Sequence, residues 1–269
     1  MKRRKFLFTG LVTAALTASV AVACAPGGGE TSSGDGSRTL VMATSADYPP
    51  YEYVDSTSGS QEIVGFDVEI AKYITEELGY DLEIQNVDFN GLIPALQSQR
   101  ADFVMAGMTP TEERKQNVDF SDIYYEAQNT IVSRQGSSLT TAESLQGKTV
   151  GVQLGSTQEQ AARDLEGLNV KPLNRINEMI QELKAGRIDA IIMEDTVAKG
   201  YVESNPDLEF NAIPNEGEAG SAIAFPKGSE LVNEFNPVLQ EMKESGKLEE
   251  LVNKWFGEES PAAGQQPAS

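Results

Sequence analysis

Two apolar periodicities alternate along most of this chain. Leu40 to Ala43 is a short continuous apolar run and predicts a buried strand over 39–44. Phe66, Ile70, Ile74 and Leu78 instead recur at helical spacing among acidic residues and stop before Gly79, where a helix C-cap is wanted. The alternation continues with a strand over 82–84, a helix over 91–98 and a strand over 103–106. It then repeats, with strands over 149–152, near Val170 and over 190–193, and with helices over 159–165 and 178–185. Strands and helices in turn mark an α/β protein.

One short pattern occurs twice within that alternation. Leu96-Gln-Ser-Gln-Arg100-Ala-Asp102-Phe-Val-Met-Ala-Gly107 is matched 87 positions later by Leu183-Lys-Ala-Gly-Arg187-Ile-Asp189-Ala-Ile-Ile-Met-Glu194. In each, the tail of an amphipathic helix passes through an Arg-x-Asp turn into four apolar residues, so one αβ unit is used twice and two similar lobes are expected. Small molecules bind beyond the carboxyl ends of strands in open α/β sheets, which makes Gly107 and Glu194 two sides of one expected cleft. The extended apolar runs over 129–133 and 221–225 bracket the second half and are expected to cross between lobes, with a hinge at the two crossings. The first lobe is then 38–129 plus 226–257, closed by helices over 231–244 and 248–256, and the second is 130–225. The end of the chain, 258–269, is too polar to bury a core and is expected to be disordered.

The ends of the chain and its charge narrow the function. Lys2, Arg3, Arg4 and Lys5 precede an apolar run over 6–22, which reads as an export signal over 1–23 and is short for a bilayer span. The pair Arg3-Arg4 also fits a twin-arginine signal. Cys24, the only cysteine, follows Ala21-Val22-Ala23 in a tetrapeptide resembling a bacterial lipoprotein box, and a Gly- and Ser-rich stretch over 24–37 follows as a flexible tether. Cys24 is therefore the expected lipid attachment point, with an exported protein held at the membrane only by its lipid; a soluble periplasmic form is the alternative. The net charge of −20 argues against nucleic acid and anionic lipid surfaces as partners. With no histidine and one cysteine, the chain lacks the commonest general base and metal ligand, and no cofactor or metal is expected.

Three helix starts follow strand ends. Thr109-Pro110-Thr111-Glu112 reads as a capping box after Gly107, with Arg114 one turn inside. A guanidinium beside a helix N-terminus suits a carboxylate. Gly155-Ser156-Thr157-Gln158-Glu159 is a second box, whose free amides at Thr157 and Gln158 would face the same anion, and Asp195-Thr196 after Glu194 is the third start. Ala142-Glu-Ser-Leu-Gln-Gly-Lys-Thr149 satisfies a relaxed nucleotide-binding pattern, but its Gly-Lys-Thr leads into a strand where a helix is required, so it is set aside.

From about Leu40 to Phe256 the chain resembles the solute-binding proteins of bacterial amino-acid ABC transporters, family 3. The likeness rests on Asp47-Tyr-Pro-Pro-Tyr-Glu52, Val64-Gly-Phe-Asp67, Asp88-Phe-Asn-Gly-Leu-Ile-Pro94, Ala106-Gly-Met-Thr-Pro-Thr-Glu-Glu-Arg114, Val118-Asp-Phe-Ser-Asp122, Gly147-Lys-Thr-Val-Gly-Val-Gln-Leu-Gly-Ser-Thr-Gln158 and Lys254-Trp-Phe-Gly257. It implies a two-lobed, type II periplasmic-binding-protein-like fold with two crossing strands, closing as a monomer on one free amino acid and handing it to a permease. Arg114 would hold the ligand carboxylate with amides of Thr109 and Thr157, and Asp195 with the Gly107 carbonyl would take the ammonium. Tyr48 and Phe89 would sandwich the side chain, while Ser45 and Glu194 occupy positions where relatives vary.

Glu194, Asp47 and Glu52 offer carboxylates near this site, and aromatics beside them favour a cation. Met193-Glu-Asp-Thr-Val-Ala-Lys-Gly-Tyr201 and Ser221-Ala-Ile-Ala-Phe-Pro226 resemble arginine-binding members of the family. A cationic amino acid, arginine first, is the expected ligand. A glutamine-like ligand remains open, as does a dehydratase of the same fold with Glu194 as general acid.

Overall fold

The opening strand β1 (Thr39–Thr44) buries Leu40 and Met42 as an inner strand of a five-stranded sheet in the computed structural model, which describes residues 37–55, 61–215 and 219–263. The expected export signal, Cys24, nearly all of the tether and the end of the tail lie outside the described residues.

A small antiparallel sheet comes next, made of β2 (Asp47–Tyr48), β3 (Glu52–Asp55) and β4 (Glu62–Val64), and none of it was legible in the apolar pattern. Then follow α1 (Phe66–Glu77), β5 (Asp81–Asn86), α2 (Leu92–Gln97), β6 (Phe103–Val104), the single turn α3 (Glu112–Lys115) and β7 (Val118–Phe120). The second lobe contains β8 (Asn129–Arg134), β9 (Thr149–Gln153), α4 (Thr157–Asp164), β10 (Asn169–Leu173), α5 (Ile176–Lys184), β11 (Ala190–Glu194), α6 (Asp195–Ser204) and β12 (Leu208–Ile213). The chain ends in β13 (Ala224–Pro226), α7 (Leu231–Glu244) and α8 (Lys247–Phe256).

The two large sheets have one design. Their strand orders are β5-β1-β6-β13-β7 and β10-β9-β11-β8-β12, and in each all strands run in one direction except the fourth, which is antiparallel to both neighbours. The fourth strand in each, β13 or β8, is the first one reached after the chain has crossed from the other sheet. Ala224 and Phe225 therefore pair with Phe120 and Asp119 inside the first sheet, whereas the sequence reading put them in the second lobe. The two crossings lie side by side, joined by the Tyr125–Ser221 bridge and by Asn215, which accepts from Asn129 N and donates to Ala127 O.

The repeated Arg-x-Asp turn has a physical reason in both copies. The Asp102 carboxylate accepts from Val41 N at 2.8 Å, and the Asp189 carboxylate accepts from Thr149 N at 2.9 Å. Each aspartate thereby ties the entry of its strand to the parallel neighbour, accepting from an amide of that neighbour just ahead of the ladder between them. The turn before it needs a left-handed residue, which is Gln99 in the first copy and Gly186 in the second. The apolar sides of α1 and α7 cover one face of the first sheet through Ile70, Ile74, Phe235 and Leu239, and α2 covers the other with Leu92 and Leu96. In the second lobe, Met179, Ile180 and Leu183 of α5 pack beneath Ile191 and Met193.

Gly65, at φ 142, carries the chain from β4 into α1, and a Cβ there would sit 2.1 Å from the Tyr51 carbonyl oxygen. Because that obstacle is backbone, Gly65→Ala is expected to destabilise the protein by about 4 kcal/mol or more, measured by urea unfolding.

The expected tail is partly built. Residues 258–263 turn back on the first lobe, Ala262 is buried, and the Pro261 carbonyl accepts from the Tyr53 hydroxyl. Proline and alanine contribute a small apolar contact that average composition conceals.

Candidate functional site

The carboxyl ends of β6, β9 and β11 meet at a narrow cleft between the sheets, with a free volume of only about 10 Å³. Its wall includes Tyr48, Phe89, Gly107, Thr109, Arg114, Ser156, Thr157, Gln158 and Glu194, all expected from the sequence. The Arg114 guanidinium lies 5.4 Å from the centre of the Phe89 ring, which holds it in place by cation–π contact. Its two terminal nitrogens donate to Thr109 O and, across the seam, to Gly155 O, both at 2.9 Å. Gly155 has φ +81 and no side chain, and it packs against Asn90 of the opposite lobe so closely that a Cβ would be 3.2 Å from the Asn90 Cβ.

Local folding differs from the expected boxes in detail. Helix α3 begins at Glu112 with Thr111 as N-cap, whose hydroxyl accepts from Arg114 N, so Thr109 and Pro110 stay outside the helix. Thr109 is thereby left lining the cleft. At α4, Ser156 caps the helix by accepting from Glu159 N, and the Glu159 carboxylate accepts from Gly155 N at 2.7 Å. The first amides of α4 point their positive end at the cleft.

Two expected residues are not brought to the cleft wall. Asp195 is half-buried at the start of α6, and its Oδ1 accepts from the backbone amides of Gln128 at 3.1 Å and Thr196 at 2.8 Å. Two amides satisfy it locally, so the acid that lines the cleft is its neighbour Glu194. Ser45 is buried and donates to Asp47 Oδ1. Asp47 and Glu52, expected as carboxylates near the pocket, are also absent from its lining: Asp47 engages the start of α5, and Glu52 lies fully buried below it. Conversely, Ala106 and Gln153 line the cleft and were missed. Gln153 could have been found as the polar residue closing an otherwise apolar strand.

Residues 40–258 match the bacterial extracellular solute-binding proteins, family 3. The chain belongs to this family. Among its relatives is the arginine-binding extracellular protein ArtP of Bacillus subtilis, 49% identical over 251 residues that span 91% of this chain and 96% of ArtP. The amino-acid ABC transporter substrate-binding protein AbpA of Streptococcus pneumoniae, solved with L-arginine, superposes with a TM-score of 0.79 at 37% identity, covering 84% of this chain and 96% of AbpA. An ancestral arginine-binding protein bound to glutamine has a TM-score of 0.77 at 44% identity, with coverage of 82% and 98%.

In this family-3 protein the floor of the cleft is acidic and buried. Burial pushes Glu194 up to about 8; the nearby Tyr51 hydroxyl favours its charge, while Asp195 and Asp67 oppose it. Its Oε2 is buried without a hydrogen-bond partner among the described residues. Below, Asp67 Oδ2 accepts from Gly107 N at 2.9 Å and from the Tyr124 hydroxyl at 2.8 Å. Burial still lifts Asp67 to about 7, and burial first and the Asp67 charge second raise Glu52 well above the carboxylate range. The two buried carboxyls titrate as a pair, and Asp67 holds the Gly107 strand end through its Oδ2. Asp47 is raised to about 6 by burial, against the opposing effect of Ile176 N–H, Arg175 and Ser45.

Proposed function

We propose that the cleft captures a free amino acid with a positively charged side chain, arginine first, and that the chain delivers it to the permease of an ABC transporter. The observation that carries this reading is that Arg114 and Glu194 line one narrow cleft, a guanidinium and a buried carboxylate whose Oε2 has no hydrogen-bond partner among the described residues. In our reading the ligand carboxylate lies against Arg114 and the first amides of α4, the side chain runs between Tyr48 and Phe89, and Glu194 receives a cationic group. The names of ArtP and of AbpA in its arginine-bound form support arginine. Affinity then arises from charge-assisted bonds removed from water.

A glutamine-like ligand is the second reading, because a protonated Glu194 donates and accepts hydrogen bonds as a side-chain amide requires, and the ancestral arginine-binding protein was solved with glutamine. We place the protein outside the cytoplasm as a monomer anchored by lipid on Cys24, and we read the site as binding without turnover. Calorimetric titration with the twenty amino acids tests this. Arginine is expected to bind most tightly and to be recovered unchanged, whereas chemical conversion of a bound acid or a clear preference for an apolar amino acid would end the reading.

A further inference from the structure

Beside the ligand cleft, a charged cluster spans the seam between the lobes. Arg175, the residue before α5 in the second lobe, reaches three groups of the first: Asp88 Oδ1 at 2.6 Å, Asn86 Oδ1 at 3.3 Å and Asp47 Oδ1 at 3.8 Å. Asp47 Oδ2 accepts a 2.6 Å hydrogen bond from Ile176 N, the first amide of α5, and the Tyr201 hydroxyl of α6 donates to Asp47 O at 3.1 Å. Arg175 makes no side-chain cap for its own helix. The N-terminus of α5 is therefore capped from the opposite lobe, where a carboxylate also complements the helix dipole.

We infer that Arg175 and Asp47 form a latch between the lobes, which sets how long a bound amino acid is retained although neither residue lines the cleft. The inference rests on the reading of the cleft as an amino-acid site that opens and closes. Its geometry reaches the ligand through sequence neighbours, since Asp47 precedes Tyr48 and Asp88 precedes Phe89, the two aromatics of the cleft wall. Exposed ion pairs contribute little, and Asp88, at 39% exposure, would be one of them. Asp47 is different: its side chain is 4% exposed, and a carboxylate that deep requires donors. Ser45 supplies one from its own lobe, but Ile176 and Arg175 supply theirs only while the lobes touch. Without Arg175 the buried carboxylate is less compensated in the closed arrangement, whereas in the open one water replaces what is lost. Closed lobes are therefore disfavoured, and because the latch is absent during encounter, the change falls on dissociation.

The test measures arginine association and release by stopped-flow on the full chain for Arg175→Ala, Arg175→Lys and Asp88→Ala. The dissociation rate is expected to rise about tenfold in Arg175→Ala, with association within about twofold, as for other closure contacts that act on koff. Arg175→Lys should recover most of the loss, because an ammonium still faces the carboxylates, and Asp88→Ala, which leaves Asp47 and its donors in place, should have a smaller effect. An unchanged dissociation rate, an equal loss in association, or no recovery by lysine would overturn the latch. Should wild type bind no amino acid, the reading of the cleft fails, and amide exchange at Ile176 still decides the latch. Faster exchange in Asp47→Ala and Arg175→Ala than in wild type upholds it, and identical exchange overturns it.

Discussion

Arg114→Ala is expected to weaken arginine binding by at least about thirtyfold, corresponding to the 2–5 kcal/mol lost when one partner of a buried charge pair is removed. The guanidinium is the charged donor of the cleft wall on the first lobe, and its position is prepared by Thr109 O, Gly155 O and the Phe89 ring. Its removal takes away the proposed clasp for the ligand carboxylate together with one link across the seam. Arg114→Lys is expected to rescue little, because a single ammonium cannot reproduce two donors aimed in a plane. The chain should fold normally, since Arg114 belongs to a one-turn helix with no buried residue. Calorimetry for affinity and a thermal scan of the unliganded protein check both statements, and arginine affinity equal to wild type in Arg114→Ala would refute the assignment.

The second large effect is at Glu194. Because burial pushes its carboxyl up to about 8, the closed arrangement without a ligand favours a neutral Glu194 at pH 7. A cationic ligand favours the carboxylate, so binding lowers this value and releases a proton. The sign follows: arginine affinity rises with pH from about 6 to 8, at most tenfold per pH unit for one proton, and levels off above the unliganded value. Titrations in buffers of different ionisation enthalpy count the released proton. Glu194→Gln should abolish this pH slope and cost arginine about a hundredfold at pH 8, the loss of a buried charge partner, while glutamine binding is kept or improved. If arginine and glutamine affinities are both unchanged in Glu194→Gln, the cationic assignment loses its support.

The fold was legible where one residue type dictates a local outcome. The apolar rows of α1, α5 and α7 and the twin Arg-x-Asp turns needed only periodicity, because an amphipathic stripe or a strand-entry carboxylate works the same way in any setting. The small sheet β2-β3-β4 was not legible, since Tyr48, Tyr51 and Tyr53 are buried by α8, the crossing segments and Ala262, all distant in sequence. The start of α3 was misjudged by two residues because Thr109 and Thr111 are chemically equivalent caps, and the cleft required one of them to remain extended.

The site divides in the same way. Gly107, Ser156, Thr157 and Arg114 could be named from strand ends and caps, features written in a few consecutive residues. Whether Glu194 or Asp195 enters the cleft could not, because adjacent carboxylates at a strand-to-helix junction point in different directions and backbone amides of Gln128 and Thr196 satisfy one of them. Nor could sequence alone bring Asp47 to the first turn of α5, 129 residues away. By itself the sequence determined two matched αβ lobes, an acidic chain and the strand-end and cap residues that the cleft brings together. Tertiary structure decided which acids are dry and which residues meet across the seam, because desolvation and long-range pairing depend on what the rest of the chain places around a group.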